Sequence, residues 1–208
     1  MTVIARRGVC LVLSAPSGGG KGAITDALLA REPGLRRSVS VTTRAPRAGE
    51  VDGVHYHFIS EDAFSAAERN GELLEWARVL RGKHGYGTPS APVESAMAAG
   101  EDMVFDIDWQ GFRSMRDRLP GDVIGVFILP LGLDVLEQRL RMRGDDTAEI
   151  NRRMPRAREE ISHWREFDYV VVNDRLDRAV DEVVCILHAA RLIPGRQVGL
   201  EEFVAKMG

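Results

Sequence analysis

Five apolar residues, Val9-Cys10-Leu11-Val12-Leu13, run with Ser14 into Ala15-Pro16-Ser17-Gly18-Gly19-Gly20-Lys21-Gly22. An unbroken, partly β-branched run of this length suits a strand buried on both faces of a parallel sheet. The glycines turn the chain, and Ile24, Ala27 and Leu28 then recur at helical spacing, so a helix is predicted over residues 22–31. Strand, glycine loop and helix in succession commit the chain to an opening βα unit. Such a loop aims successive backbone N–H groups at an anion, and Lys21 adds a mobile positive charge. That is a cradle for a nucleoside triphosphate; the bland alternative is a tight strand-to-helix turn. The match to the P-loop pattern fails at both ends, with Ser14 or Ala15 in place of the first glycine and Gly22 in place of the hydroxyl that binds Mg²⁺.

Further buried strands are predicted at 103–107 (MVFDI), 123–129 (VIGVFIL) and 169–172 (YVVV), with helical stretches between them. Strands alternating with helices give an α/β fold around a parallel sheet. Two segments break the rhythm. Val39, Val41, Val54, Tyr56 and Phe58 fall at period two and predict a small mixed or antiparallel sheet within residues 38–94. Residues 133–167 read as two helices joined by Arg143-Gly-Asp-Asp-Thr, and the tail beyond Pro194 is short.

A chain of 208 residues fits one domain carrying small inserts, and 44% apolar with 28% charged residues excludes a disordered or fibrous chain. The 28 Lys and Arg against 31 Asp and Glu leave a net charge of −3, so neither nucleic acid nor a membrane is expected as a partner, and any anion site must be local. Cys10 and Cys185 each sit in an apolar run and read as buried thiols, unable to form a zinc cluster and suited to a reducing, cytoplasmic setting. Residues 1–10 lack the features of a signal peptide, and no apolar run reaches the length of a membrane span.

The second motif lies in Ser38-Val-Ser-Val-Thr-Thr-Arg44-Ala-Pro-Arg47-Ala-Gly-Glu50, followed by Tyr56 and Phe58. Two arginines around a proline present paired guanidinium forks suited to a dianionic phosphate, with Tyr56 as a third donor. With the glycine loop and Leu74-Glu75-Trp76-Ala77, Tyr86-Gly87-Thr88-Pro89, Phe105-Asp106-Ile107-Asp108-Trp109-Gln110-Gly111 and Val170-Val-Val-Asn173-Asp174, the chain resembles the guanylate kinases over residues 8–192. The resemblance implies phosphoryl transfer from ATP to GMP on a P-loop core (1–37, 95–132, 168–194), with a GMP-binding insert (38–94), a lid (133–167) and a C-terminal tail (195–208). It places Arg44, Arg47, Tyr56 and Tyr86 on the GMP phosphate, Ser40, Glu75 and Thr88 on guanine, and Glu50 behind the arginine pair. ATP falls to Ala15, Pro16, Ser17, Gly18, Gly19, Gly20, Lys21 and Gly22, with Asn173 beside adenine. Asp106 and Asp108 serve Mg²⁺, its waters or the guanine edge.

Arg139, Arg143, Arg152, Arg153, Arg156 and Arg158 crowd twenty positions, and the resemblance selects Arg139, Arg143 and Arg153 as the arginines that reach phosphate. The remaining three read as a solvated helix face. Lys21, Arg44, Asp106 and those lid arginines are the residues expected to carry the transfer. His55 and His57 alternate as a metal pair would, but without a third ligand they read as surface residues. Trp76, Trp109, Trp164, Met142 and Met154 read as packing. Two departures from the family pattern matter: Gly22 supplies no hydroxyl, Thr25 lying about one turn further on, and the 78–85 loop is about two residues longer than the family's usual spacing, which opens Tyr86 to displacement. The competing readings are a related binding module that has lost catalysis and holds a nucleotide or phosphopeptide, and a sugar-phosphate kinase, which would leave Ser40, Glu75 and Thr88 with no base to read.

Overall fold

The computed structural model describes residues 4–79, 83–142, 144 and 146–207. In chain order the elements are β1 (Cys10–Ser14), α1 (Lys21–Arg31), β2 (Leu35–Arg37), β3 (Val41–Thr42), β4 (His57–Phe58), α2 (Glu61–Arg69), β5 (Leu73–Val79), β6 (His84–Pro89) and α3 (Ser90–Ala98). They continue as β7 (Asp102–Asp106), α4 (Trp109–Arg118), β8 (Val123–Pro130), α5 (Leu133–Met142), α6 (Thr147–Ser162), β9 (Tyr169–Asn173), α7 (Leu176–Arg191) and α8 (Leu200–Ala205).

The main sheet has the order β2-β7-β1-β8-β9, and all its pairings are parallel. Every residue of β1 is buried, as its unbroken apolar run requires. Leu11 and Leu13 join Ile24, Leu28, Val180, Val183 and Leu187 on the α1–α7 side, whereas Cys10 and Val12 join Met97, Phe105, Phe112 and Phe127 on the α3–α4 side. Each such side chain contributes roughly 1.5–3 kcal/mol by leaving water. Leu13 pairs with Asp106, Ser14 with Phe127 and Pro130 with Asn173, so the carboxyl ends of the strands gather at one edge, where open α/β sheets hold their ligands.

The smaller sheet, β4-β3-β6-β5, is mixed: β3 and β4 run parallel, while β3 with β6 and β5 with β6 run antiparallel. Phe64 of α2 packs with Val41 and Leu73 beneath it. The period-two pattern at 54–58 yields strand only at His57–Phe58, because residues 51–55 close a turn in which the Val54 and His55 N–H groups donate to Val51 O. The edge strand β2 escaped the sequence reading, since only Leu35 is buried and Arg36 and Arg37 face solvent.

Met142 and Cys185 depart from the packing expected of them. Met142 ends α5 with 80% of its surface exposed, and Cys185 lies on the solvent side of α7. Cys10 is buried as expected, which pushes its thiol up to about 12. The tail is docked by Arg196, whose buried guanidinium donates through Nη1 to Gly8 O and Asp122 O at 2.9 and 3.0 Å. Among the described residues no helix is long and apolar enough to cross a membrane.

Candidate active site

At the carboxyl edge of the main sheet, residues 15–22 wrap one side of a cavity of about 510 Å³. Asp108 and, from α6, Arg152, Arg153, Arg156 and Glu160 complete its walls. The loop needs its glycines: Gly20 caps α1 at φ +95°, and a Cβ there would stand 2.3 Å from Asn173 Nδ2. That amide donates to Gly19 O at 2.9 Å, tying the loop to the end of β9. Lys21 Nζ lies 2.6 Å from Asp106 Oδ1 and 3.3 Å from Ile107 O, at the end of β7.

Asp106, paired with Lys21, lines a narrower cleft of about 120 Å³ with Ser40, Tyr56, Arg37 and His55. Beside Tyr56, Arg44, Arg47, Glu50 and Tyr86 form one paired group. Glu50 accepts both terminal nitrogens of Arg44 at 2.8 and 2.9 Å, and also the Arg47 N–H at 2.7 Å. The Arg44 pairing holds the Glu50 carboxyl down at about 2, and the same contact raises the Arg44 guanidinium further above its ordinary value. Arg44 Nε donates to Tyr86 Oη at 3.1 Å, and the guanidinium lies 5.3 Å from the Tyr56 ring centre. Tyr86 therefore sits with the arginine despite the long hairpin, whose residues 80–82 lie outside the described residues.

Behind this group Thr88 Oγ1 donates to Glu75 Oε1 at 2.6 Å, with both side chains buried. Burial pushes the Glu75 carboxyl up to about 7; the Thr88 hydroxyl opposes that shift and the nearby Asp108 charge adds to it. Asp108 caps α4, accepting from the Gln110 and Gly111 N–H groups through Oδ1 at 3.0 Å each.

A divalent cation has few partners here. A Cβ built on Gly22 would meet nothing within 4 Å, and the fully buried Thr25 hydroxyl donates to Lys21 O at 3.0 Å instead of facing the loop. Asp106 is engaged by Lys21, and among the described residues no group of three or more His, Cys, Asp or Glu converges. This donor set fits a hard ion that keeps most of its water and takes its remaining ligands from phosphate, with Asp106 or Asp108 reaching it through water.

The structure thus brings Ser17–Gly22, Arg153 and Asp108 to one cavity and Ser40, Tyr56 and Asp106 to the adjoining cleft. Arg139 lies on the far side of the loop, with Nη1 3.5 Å from Gly19 O and Nη2 3.3 Å from Asn173 O, in a separate recess of about 330 Å³ with Asn173 and Met142. Arg143 lies outside the described residues. Arg152 and Arg156, read from sequence as surface charge, are exposed yet line the cavity, and Glu160 was missed altogether. The clue to all three was helical spacing: 149, 152, 153, 156 and 160 lie on one stripe of α6. His55 Nδ1 accepts the Val51 N–H, a structural use rather than metal ligation. Trp109 stacks on His163 at 3.6 Å and Trp164 packs on the α3–α4 side, whereas Trp76 is 46% exposed.

A glycine phosphate loop, an adjoining cleft lined from a second sheet and a basic helix across the loop define a P-loop phosphotransferase of the nucleoside monophosphate kinase class. The family model described as guanylate kinase matches residues 7–190. The guanylate kinase of Gluconobacter oxydans is 57% identical over 206 residues, covering 99% of this chain and 98% of that protein. That of Granulibacter bethesdensis is 55% identical, covering 98% and 94%. A crystal structure of guanylate kinase from Anaplasma phagocytophilum superposes with a TM-score of 0.78 at 35% identity, covering 97% and 96%. The chain belongs to the guanylate kinase family, and it is a nucleoside monophosphate kinase.

Proposed function

We propose that this enzyme transfers the γ-phosphoryl group of ATP to GMP, giving ADP and GDP, with metal handling altered at Gly22. The observation that carries the reading is Asp106, which touches Lys21 of the phosphate loop and also lines the cleft with Ser40 and Tyr56. One ion pair between a loop cation and a cleft carboxylate sets the donor and acceptor sites side by side, and holding two phosphates at that spacing supplies much of the rate.

Loop N–H groups and Lys21 hold the ATP phosphates; Arg44, Arg47, Tyr56 and Tyr86 hold the GMP phosphate, with Glu50 fixing the two arginines. A GMP phosphate oxygen attacks the γ-phosphorus as the bond from that phosphorus to the bridging oxygen breaks, and the electron pair leaves with ADP. Arg153 and Arg143 offset charge on the transferring group, with Arg139 reaching phosphate only after leaving its recess behind the loop. Ser40, Thr88 and Glu75 read guanine, the carboxylate accepting from N1–H and the 2-amino group, where adenine offers an acceptor instead. Asn173 stands beside adenine. Mg²⁺ on the nucleotide supplies charge neutralisation of the phosphates, and Asp106 or Asp108 would hold it through water. The two unpaired thiols suit a reducing cytoplasm.

Chromatography of ATP and GMP incubated with the protein and Mg²⁺ tests this: ADP and GDP are expected in equal amounts. GMP binding with neither product would establish the binding-module reading instead. ADP without GDP would indicate hydrolysis and overturn the transfer.

A further inference from the structure

One backbone donor of the phosphate loop is taken by an anion of the chain's own. Glu160, on α6, accepts the backbone N–H of Ser17 through Oε2 at 3.2 Å, across 143 positions of sequence. Its other oxygen accepts Arg156 Nε at 3.1 Å, and its side chain is only 14% exposed. The neighbouring Arg153 donates to Ser17 Oγ at 3.2 Å, so α6 grips the loop residue at both its backbone and its hydroxyl. Glu160 also lines the 510 Å³ cavity with Gly18, Gly19, Gly20 and Lys21.

Loop N–H groups are donors arranged for phosphate oxygens, and a carboxylate oxygen is the closest side-chain substitute for one: an acceptor with negative charge. A phosphate oxygen and Glu160 Oε2 cannot both take the Ser17 N–H. We propose that Glu160 is an internal placeholder for a nucleotide phosphate, which holds α6 against the loop and releases Arg156 toward phosphate when the nucleotide displaces it. This rests on the assignment of the loop to ATP. Displacement costs nucleotide affinity, and in return α6 and its arginines are kept over the loop before ATP arrives. Glu159, adjacent and exposed, faces solvent and carries the same charge without this contact.

Glu160→Gln keeps the size of the side chain and removes its charge, so ADP, titrated by calorimetry in the absence of GMP, should bind about three- to tenfold more tightly than to the unaltered protein. Glu159→Gln should change ADP affinity less than twofold, which separates the contact from the general charge of α6. GMP affinity should be the same in all three proteins. Unchanged or weakened ADP binding in Glu160→Gln, with normal binding by the unaltered protein, overturns the placeholder alone and leaves Glu160 as a support for Arg156. Failure of the unaltered protein to bind ADP overturns both the placeholder and the ATP assignment. A melting temperature for Glu160→Gln within about 2 °C of the unaltered protein excludes a fold-wide effect.

Discussion

Glu75 carries the sharpest residue-scale consequence. Burial raises its carboxyl from 4.5 to about 7, so the folded protein takes up a proton there that the unfolded chain releases near 4.5. Its contribution to stability is complete below pH 4.5 and is lost as pH rises through 7, a change of about 3 kcal/mol. Guanine donors favour the charged form, so GMP binding at pH 6 should expel a proton from Glu75, and GMP affinity should rise roughly tenfold between pH 6 and 8. Calorimetry in buffers of different ionisation enthalpy reads the proton directly. Glu75→Gln should bind GMP more weakly and release only the fraction of a proton that the phosphate's own ionisation near pH 6 supplies; equal release by both proteins would remove Glu75 from the guanine site. The residue types and spacing of Ser40, Arg44, Glu75 and Asp106 were legible in the sequence. The closure of Glu50 on both Arg44 and Arg47 was legible only as a supporting role, since the turn that delivers it depends on tertiary packing.

At the scale of elements, β1 and α1 were readable because one face-independent apolar run and one glycine loop leave little choice. The edge strand β2 was not, because an edge position lets Arg36 and Arg37 remain solvated and erases the apolar signal. Likewise α6 was readable as a helix, but the choice of which arginines face the loop needed its rotation about its own axis, and the structure turns Arg152 and Arg156 with Arg153 toward the cavity. Gly22 opens α1 with space around it, since a Cβ there meets nothing within 4 Å. Gly22→Ser therefore adds a hydroxyl beside the phosphate loop without strain and slightly favours the helix. We expect the turnover number to rise about five- to 150-fold, the equivalent of roughly 1–3 kcal/mol, with half-maximal rate reached at lower Mg²⁺ and ATP affinity nearly unchanged. Steady-state rates across a Mg²⁺ titration check this, and an unaltered turnover number and Mg²⁺ dependence would show that the hydroxyl is not missed.

The whole molecule places two sheets so that Asp106, at the end of β7, pairs with Lys21 of the phosphate loop and lines the cleft with Ser40 and Tyr56. Arg196 locks the tail against Gly8 and Asp122, an attachment the sequence left open because a lone arginine after Pro194 carries no signal of burial. We expect this arrangement to transfer phosphate from ATP to GMP and to select guanine through Glu75, Ser40 and Thr88. A site whose buried polar groups lose their partners rejects the wrong substrate by about 10,000-fold, and with Glu75 on guanine, adenine would set an acceptor against its carboxylate. The direct measurement is kcat/KM for GMP and for AMP with saturating ATP and Mg²⁺, followed by ADP formation. Turnover of GMP is expected, with AMP disfavoured by about 10,000-fold; comparable turnover of the two, or none of GMP at any Mg²⁺ concentration in either the unaltered protein or Gly22→Ser, would overturn this.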